Sequence, residues 1–141
     1  MLSLSLTLDK PDYAMTDAIT AKVILLNKGS ETLKVNRRLL LNYLGAPKVF
    51  CEVSFIITNS ANSKVPFAAR VNASEPEDAD FTELGPQQSI EESYLLRQFF
   101  RLDEPGRYTL QAIYQNSSDP STGPAWKGKV ESDQIVVDVK G

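Results

Sequence analysis

The chain has 141 residues with no histidine and a single cysteine, and 15 basic against 18 acidic residues leave a net charge of −3. That length predicts one domain over residues 1–141, because two cores of roughly 70 residues each would sit near the lower limit of independent stability. Apolar residues at 42%, with 8 prolines and 7 glycines scattered along the chain, exclude the disordered, collagen-like and low-complexity classes.

Leu2, Leu4, Leu6 and Leu8 alternate with Ser3, Ser5 and Thr7, which predicts a half-buried strand with four leucines on one face. Lys10-Pro11-Asp12 breaks the pattern between Asp9 and Tyr13. Ile19, Ala21, Val23 and Leu25 then repeat it until the turn residues Asn27-Lys28-Gly29-Ser30. Leu33 and Val35 continue briefly, and Arg37 to Leu44 reads equally as a helical turn or an irregular crossing. Val49 to Thr58 is the densest run of β-formers, with Cys51, Val53, Phe55 and Ile57 on one face and Ile56 on the other, and it reads as a central strand. A polar turn at Asn59 to Lys64 leads to a weaker strand from Val65 to Val71, which Pro66 assigns to an edge.

Asn72 to Asp80 is acidic and non-periodic, Phe81 to Leu84 is a short apolar return, and Ile90 to Leu96 is a further strand. Tyr108, Leu110, Ala112 and Tyr114 alternate with polar residues after the turn Glu104-Pro105-Gly106. Asn116 to Pro124 is a loop by composition, and Ile135, Val137 and Val139 form the last strand. No stretch of ten residues carries a helical period. The chain is therefore expected to be all-β, an antiparallel sandwich of about seven to nine short strands, with a closed barrel as the alternative.

Asp103-Glu104-Pro105-Gly106 followed by Arg107-Tyr108 resembles the tyrosine corner of immunoglobulin-like domains, in which a tyrosine near the start of the sixth strand bonds back across the turn. Leu110 stands where antibody domains carry a cysteine, so the likeness is to the disulfide-free bacterial branch. Asn27-Lys28-Gly29, Leu84-Gly85-Pro86 with Ser89-Ile90, then Phe100, Leu102 and the corner itself occur in the order seen in bacterial immunoglobulin-like modules. The approach to the last strand through Trp126, Gly128 and Ser132 is similar too. The intracellular proteinase inhibitors of bacilli and the sandwich domains attached to some metallopeptidases share this punctuation. The resemblance implies a Greek-key sandwich and bears on function far less.

Function is read mainly by exclusion. Without histidine, a hydrolase is left with a serine–lysine pair, two carboxylates, or Cys51 with an unusual partner, and none of these has a recognisable spacing. No glycine-rich phosphate loop occurs, and the basic residues are nowhere denser than the pair Arg37 and Arg38, which argues against nucleic acid. The chain is expected to be non-catalytic and to need no cofactor. Cys51, among apolar neighbours, reads as a small buried thiol. Glu75, Glu77, Asp78 and Asp80 are the candidate metal ligands, but Pro76 and the lack of glycine depart from a calcium loop, so a solvated acidic loop is the favoured reading.

Asn72-Ala73-Ser74 and Asn116-Ser117-Ser118 match the glycosylation acceptor pattern. Trp126, beside Pro124 at the mouth of the polar loop, and the pair Phe99 and Phe100 are the candidate binding residues. Adjacent residues of an extended chain point to opposite faces, so one of the two phenylalanines is expected to leave the core unless the segment bends. Tyr94, Tyr108 and Tyr114 read as core or corner residues. No apolar run approaches the ~20 residues of a membrane span. Met1 leads into alternating Leu and Ser, which predicts a non-secreted, cytoplasmic chain. An extracytoplasmic setting is the alternative if the sequence is an excised domain. The expected function is a binding or scaffolding module for a protein partner or a neighbouring domain, with proteinase inhibition through the loops as the alternative.

Overall fold

Alternation of apolar and polar residues builds the first sheet as the sequence predicts. The computed structural model describes residues 1–43 and 50–141. Its first strand, β1 (Leu2–Leu8), pairs antiparallel with β3 (Thr20–Asn27), which in turn pairs with β7 (Ser89–Leu95). Leu2, Leu4 and Leu6 are buried against Ala21, Val23 and Leu25, while Leu8 at the strand end is half-buried.

The second sheet is organised around β8 (Gly106–Asn116), the longest strand, with Tyr108, Leu110, Ala112 and Tyr114 all buried. On one side β8 pairs with β5 (Val53–Thr58). On the other it pairs with β10 (Ile135–Lys140) and β9 (Gly128–Glu131), and β10 carries β2 (Asp12–Ala14) as a parallel neighbour. A two-stranded ladder of β4 (Leu33–Asn36) and β6 (Phe81–Leu84) completes the strands among the described residues. The buried faces of the two larger sheets meet in one hydrophobic cluster reaching from Leu2 to Val139.

Four expectations are corrected. The Val49–Thr58 run forms a strand only from Val53, and that strand lies at the edge of its sheet rather than at its centre. Val49 itself, like Leu44 at the end of the unassigned stretch, lies outside the described residues. On the outer side of the run, Ser54 is buried against Ile113 of β8 while Ile56 stays exposed, so its density of β-formers did not report a central position. Val65 to Val71 is no strand: Lys64 and Phe67 make only isolated bridges, to Thr58 and Phe100. Pro66 between them has no N–H to extend the pairing. The break at Asp9–Tyr13 contains most of the short strand β2, whose parallel partner lies more than a hundred residues away. The strand count of seven to nine becomes ten among the described residues, since β2 and β9 are too short to show a period.

The corner at Tyr108 closes as its sequence implied. The Tyr108 hydroxyl donates to the Glu104 carbonyl at 2.7 Å, and Gly106 takes φ +144°, a conformation that L side chains rarely adopt. Tyr108→Phe is expected to cost about 1 kcal/mol, the net worth of one hydrogen bond whose acceptor stays near solvent. Urea denaturation checks this, and an unchanged midpoint would mean that Pro105 and Gly106 hold the turn without it.

Candidate functional site

The free edge of β5 is where the fold leaves main chain unpaired. The register with β8 alternates, so the backbone groups of Val53, Phe55 and Ile57 point away from β8. At the first of these, the Val53 N–H donates to the Leu40 carbonyl at 3.0 Å and the Val53 carbonyl accepts from the Asn42 N–H at 3.1 Å. At the last, the Ile57 carbonyl accepts from the Val65 N–H at 2.8 Å. Between these closures, the Phe55 N–H, the Phe55 carbonyl and the Ile57 N–H find no partner among the described residues. Three residues lie between Val53 and Ile57, so four steps of extended chain make a gap of about 13 Å.

A groove of about 460 Å³ follows this gap. Phe55 and Phe100 supply apolar surface on the inner side of the strand, and Ile56 and Ile113 supply it on the outer side. Tyr43 from one end and Phe67 from the other approach to 6.4 Å between ring centroids, and Phe67 also packs edge-on to Phe100 at 5.4 Å. Tyr43 is 53% and Ile56 36% exposed, an unusual placement for large apolar side chains that share one groove. Lys64 is the one charged side chain among the described lining residues, and no carboxylate pairs with it there.

Buried polar contacts hold the irregular chain that closes the Val53 end. Arg38 grips Glu52 with two parallel bonds, Nε to Oε1 at 2.6 Å and Nη2 to Oε2 at 2.9 Å, and Oε1 also accepts from the Leu40 N–H. The Asn42 amide donates to the carbonyls of Phe50 and Val71. The Tyr94 hydroxyl donates to the Leu39 carbonyl at 2.6 Å. Cys51 is buried, its thiol donating to the carbonyls of Asn42 and Val53, and burial pushes its pKa up to about 11, which leaves it a poor nucleophile.

The predicted aromatic residues separate into two places. Phe100 is buried in the groove wall, and Phe99 stacks on Phe67 at 6.1 Å while staying half-buried. Both reach Phe67 because a 3-10 turn at Leu96–Gln98 precedes them and Phe99 is helical, so the segment bends instead of sending one ring outward. Trp126 lies elsewhere, its ring half-buried against Tyr114 at 5.8 Å and its backbone N–H donating to the Lys34 carbonyl. Tyr43, Ile56, Lys64 and Phe67 were missed. Their common signal was weak: an exposed isoleucine in an apolar strand, and a proline shortly after a turn.

The acidic candidates are spent on local structure. Glu77 and Asp80 form a reciprocal capping pair about the 3-10 turn Asp78–Asp80, and Asp78 accepts from both the N–H and the hydroxyl of Ser121. Glu75 is exposed. No group of three or more potential metal-ligating side chains gathers among the described residues. Of the two glycosylation patterns, Asn72 is exposed, whereas Asn116 is buried and donates to the carbonyls of Ser118 and Trp126, which removes it as an acceptor in the folded chain.

Asp119 and Asp78 brace the loop that carries Trp126. Asp119 accepts from the Ala125 N–H and from Lys127, and Asp78 from Ser121, so each carboxyl is held below its ordinary value of 3.8, chiefly by the Ala125 N–H and the Ser121 hydroxyl respectively. A depressed carboxylate pKa contributes stability that is present above the unfolded value and lost as pH falls through the folded one. Trp126 emission is therefore expected to stay constant at neutral pH and to change below about pH 4. Asp119→Asn should weaken this dependence, and a transition centred near neutrality would contradict the assignment.

No protein-family model matches the chain, and a search of curated proteins finds none significantly similar to it. No helix among the described residues is long and apolar enough to cross a membrane.

Proposed function

We propose that the protein is a non-catalytic binding module of the immunoglobulin-like Greek-key type, which takes up an extended segment of a partner protein along the free edge of β5. The observation that carries this reading is the gap between Val53 and Ile57. Three main-chain groups have no partner there among the described residues, and apolar side chains flank them on both faces of the sheet. A strand added to an edge satisfies such groups and sends alternate side chains to opposite faces. The bond from Tyr108 to Glu104 and the two facing sheets support the immunoglobulin-like assignment.

Selection of displayed random peptides tests the binding site, with Ile56→Lys as the blocked variant. That substitution adds a charge at an exposed position and is expected to leave the melting temperature nearly unchanged while abolishing capture. Hydrogen exchange should show the Phe55 and Ile57 amides protected by the selected peptides. Peptides that bind Ile56→Lys equally well would overturn the site.

The braced loop after Asn116 favours a second reading, proteinase inhibition, because an inhibitory loop must be pre-organised and non-covalent bonds supply here what a disulfide supplies elsewhere. Unaltered rates for serine and metallopeptidases in excess protein would remove it.

A further inference from the structure

We infer that the occupant of the β5 edge is the C-terminal end of a partner polypeptide, with its last three or so residues extended and its terminal carboxylate at Lys64. The inference rests on the edge-binding reading and adds the chemical identity of what is bound. Both ends of the gap are closed. Leu41 bridges to Val53 at one end and Lys64 bridges to Thr58 at the other, each on the same side of β5 that an added strand would use. A strand running through would have to pass both closures, whereas a chain end that stops at Lys64 has to pass only the one made by Leu40 and Asn42 at the Val53 end.

The length agrees with this. The three groups without a partner among the described residues, the Phe55 N–H, the Phe55 carbonyl and the Ile57 N–H, span about three residues of a partner strand. The sign of charge then selects which chain end. Lys64 is exposed, lines the groove and has no ion-pair partner among the described residues, and no carboxylate lines the groove there. A terminal carboxylate is attracted to that position and an α-amine is repelled. Because Lys64 stands opposite Thr58, the far end of β5, the bound segment runs parallel to β5. Its alternate side chains meet Phe55 and Phe100 on the inner side and Ile56 and Ile113 on the outer, so the final residues are expected to be apolar.

Two random libraries, one displaying free C-termini and one displaying internal sequence, test this on the full chain. The free-C-terminus library is expected to yield peptides with apolar final residues. Amidating the carboxylate of those peptides should weaken binding about tenfold or more, the effect of losing one charge-assisted contact. Lys64→Glu should weaken them by at least as much, and Lys64→Arg should restore binding. Melting temperatures of both variants should match wild type. Internal peptides that protect the Phe55 and Ile57 amides and ignore Lys64→Glu would overturn the chain-end assignment and leave edge binding standing. Peptides from either library that bind Ile56→Lys unchanged, or no enrichment from both, would overturn the two together.

Discussion

Glu52→Ala is expected to destabilise the fold by about 3–5 kcal/mol, the usual cost of stranding one partner of a buried ion pair. The Glu52 side chain is only 3% exposed and that of Arg38 18%, so the guanidinium left behind would regain little solvent. The carboxylate also receives the Leu40 N–H at 3.2 Å, and the following residues close the Val53 end of the β5 edge. Since domains of this size are stable by only about 5–15 kcal/mol, the variant stands to lose about a fifth or more of its stability. Urea denaturation measures it. The double variant Arg38→Met with Glu52→Leu separates the two contributions, because removing both charges spares the unpaired one and is expected to recover most of the loss. A single-variant loss below about 1 kcal/mol would mean that water reaches this pair.

Phe55→Ala carries the second large effect, an expected loss of about 3–5 kcal/mol for a buried aromatic residue truncated to a methyl group. Phe55 meets Tyr94 edge-on at 5.9 Å and Phe100 at 6.4 Å, so the truncation removes the ring that joins two others. Its neighbour Ile56 faces the other way, and Ile56→Lys should stay within about 0.5 kcal/mol of wild type, as surface substitutions do. The contrast between adjacent positions is the informative quantity. Similar losses at both would show that the outer face of β5 is as tightly packed as the inner, which is incompatible with a groove open to a partner there.

Much of this fold was legible. The series Leu2, Leu4, Leu6, the series Ala21, Val23, Leu25 and the series Tyr108, Leu110, Ala112, Tyr114 each became one buried face of a strand, while Ile24, Leu26 and Ile113 lie on the opposite faces. The bond from Tyr108 to the Glu104 carbonyl was also written locally, because donor, turn and acceptor lie within five residues. The site was less legible. Phe100 entered the groove wall as a candidate, but Trp126, singled out by residue type and by its place beside Pro124 at the loop mouth, packs on Tyr114 away from it. The acidic run was read as a solvated loop with a ligand set as the weaker alternative, and the carboxylates of Asp78 and Asp80 are engaged by Ser121 and by the turn's own backbone, partners that composition does not reveal.

The amino-acid sequence by itself determined that the chain is built of strands and, in the alternating ones, which side chains turn inward, because a period of two is a property of neighbouring residues and reports burial directly. Only the tertiary structure decided that β5 is an edge, that Leu41 and Lys64 close its ends, and that the main chain at Phe55 is left without a described partner. Ladder pairing uses backbone groups that are the same at every non-proline residue. Its pattern is chosen by segments brought together from distant parts of the chain, so no local signal at Phe55 distinguishes a paired strand from an open one.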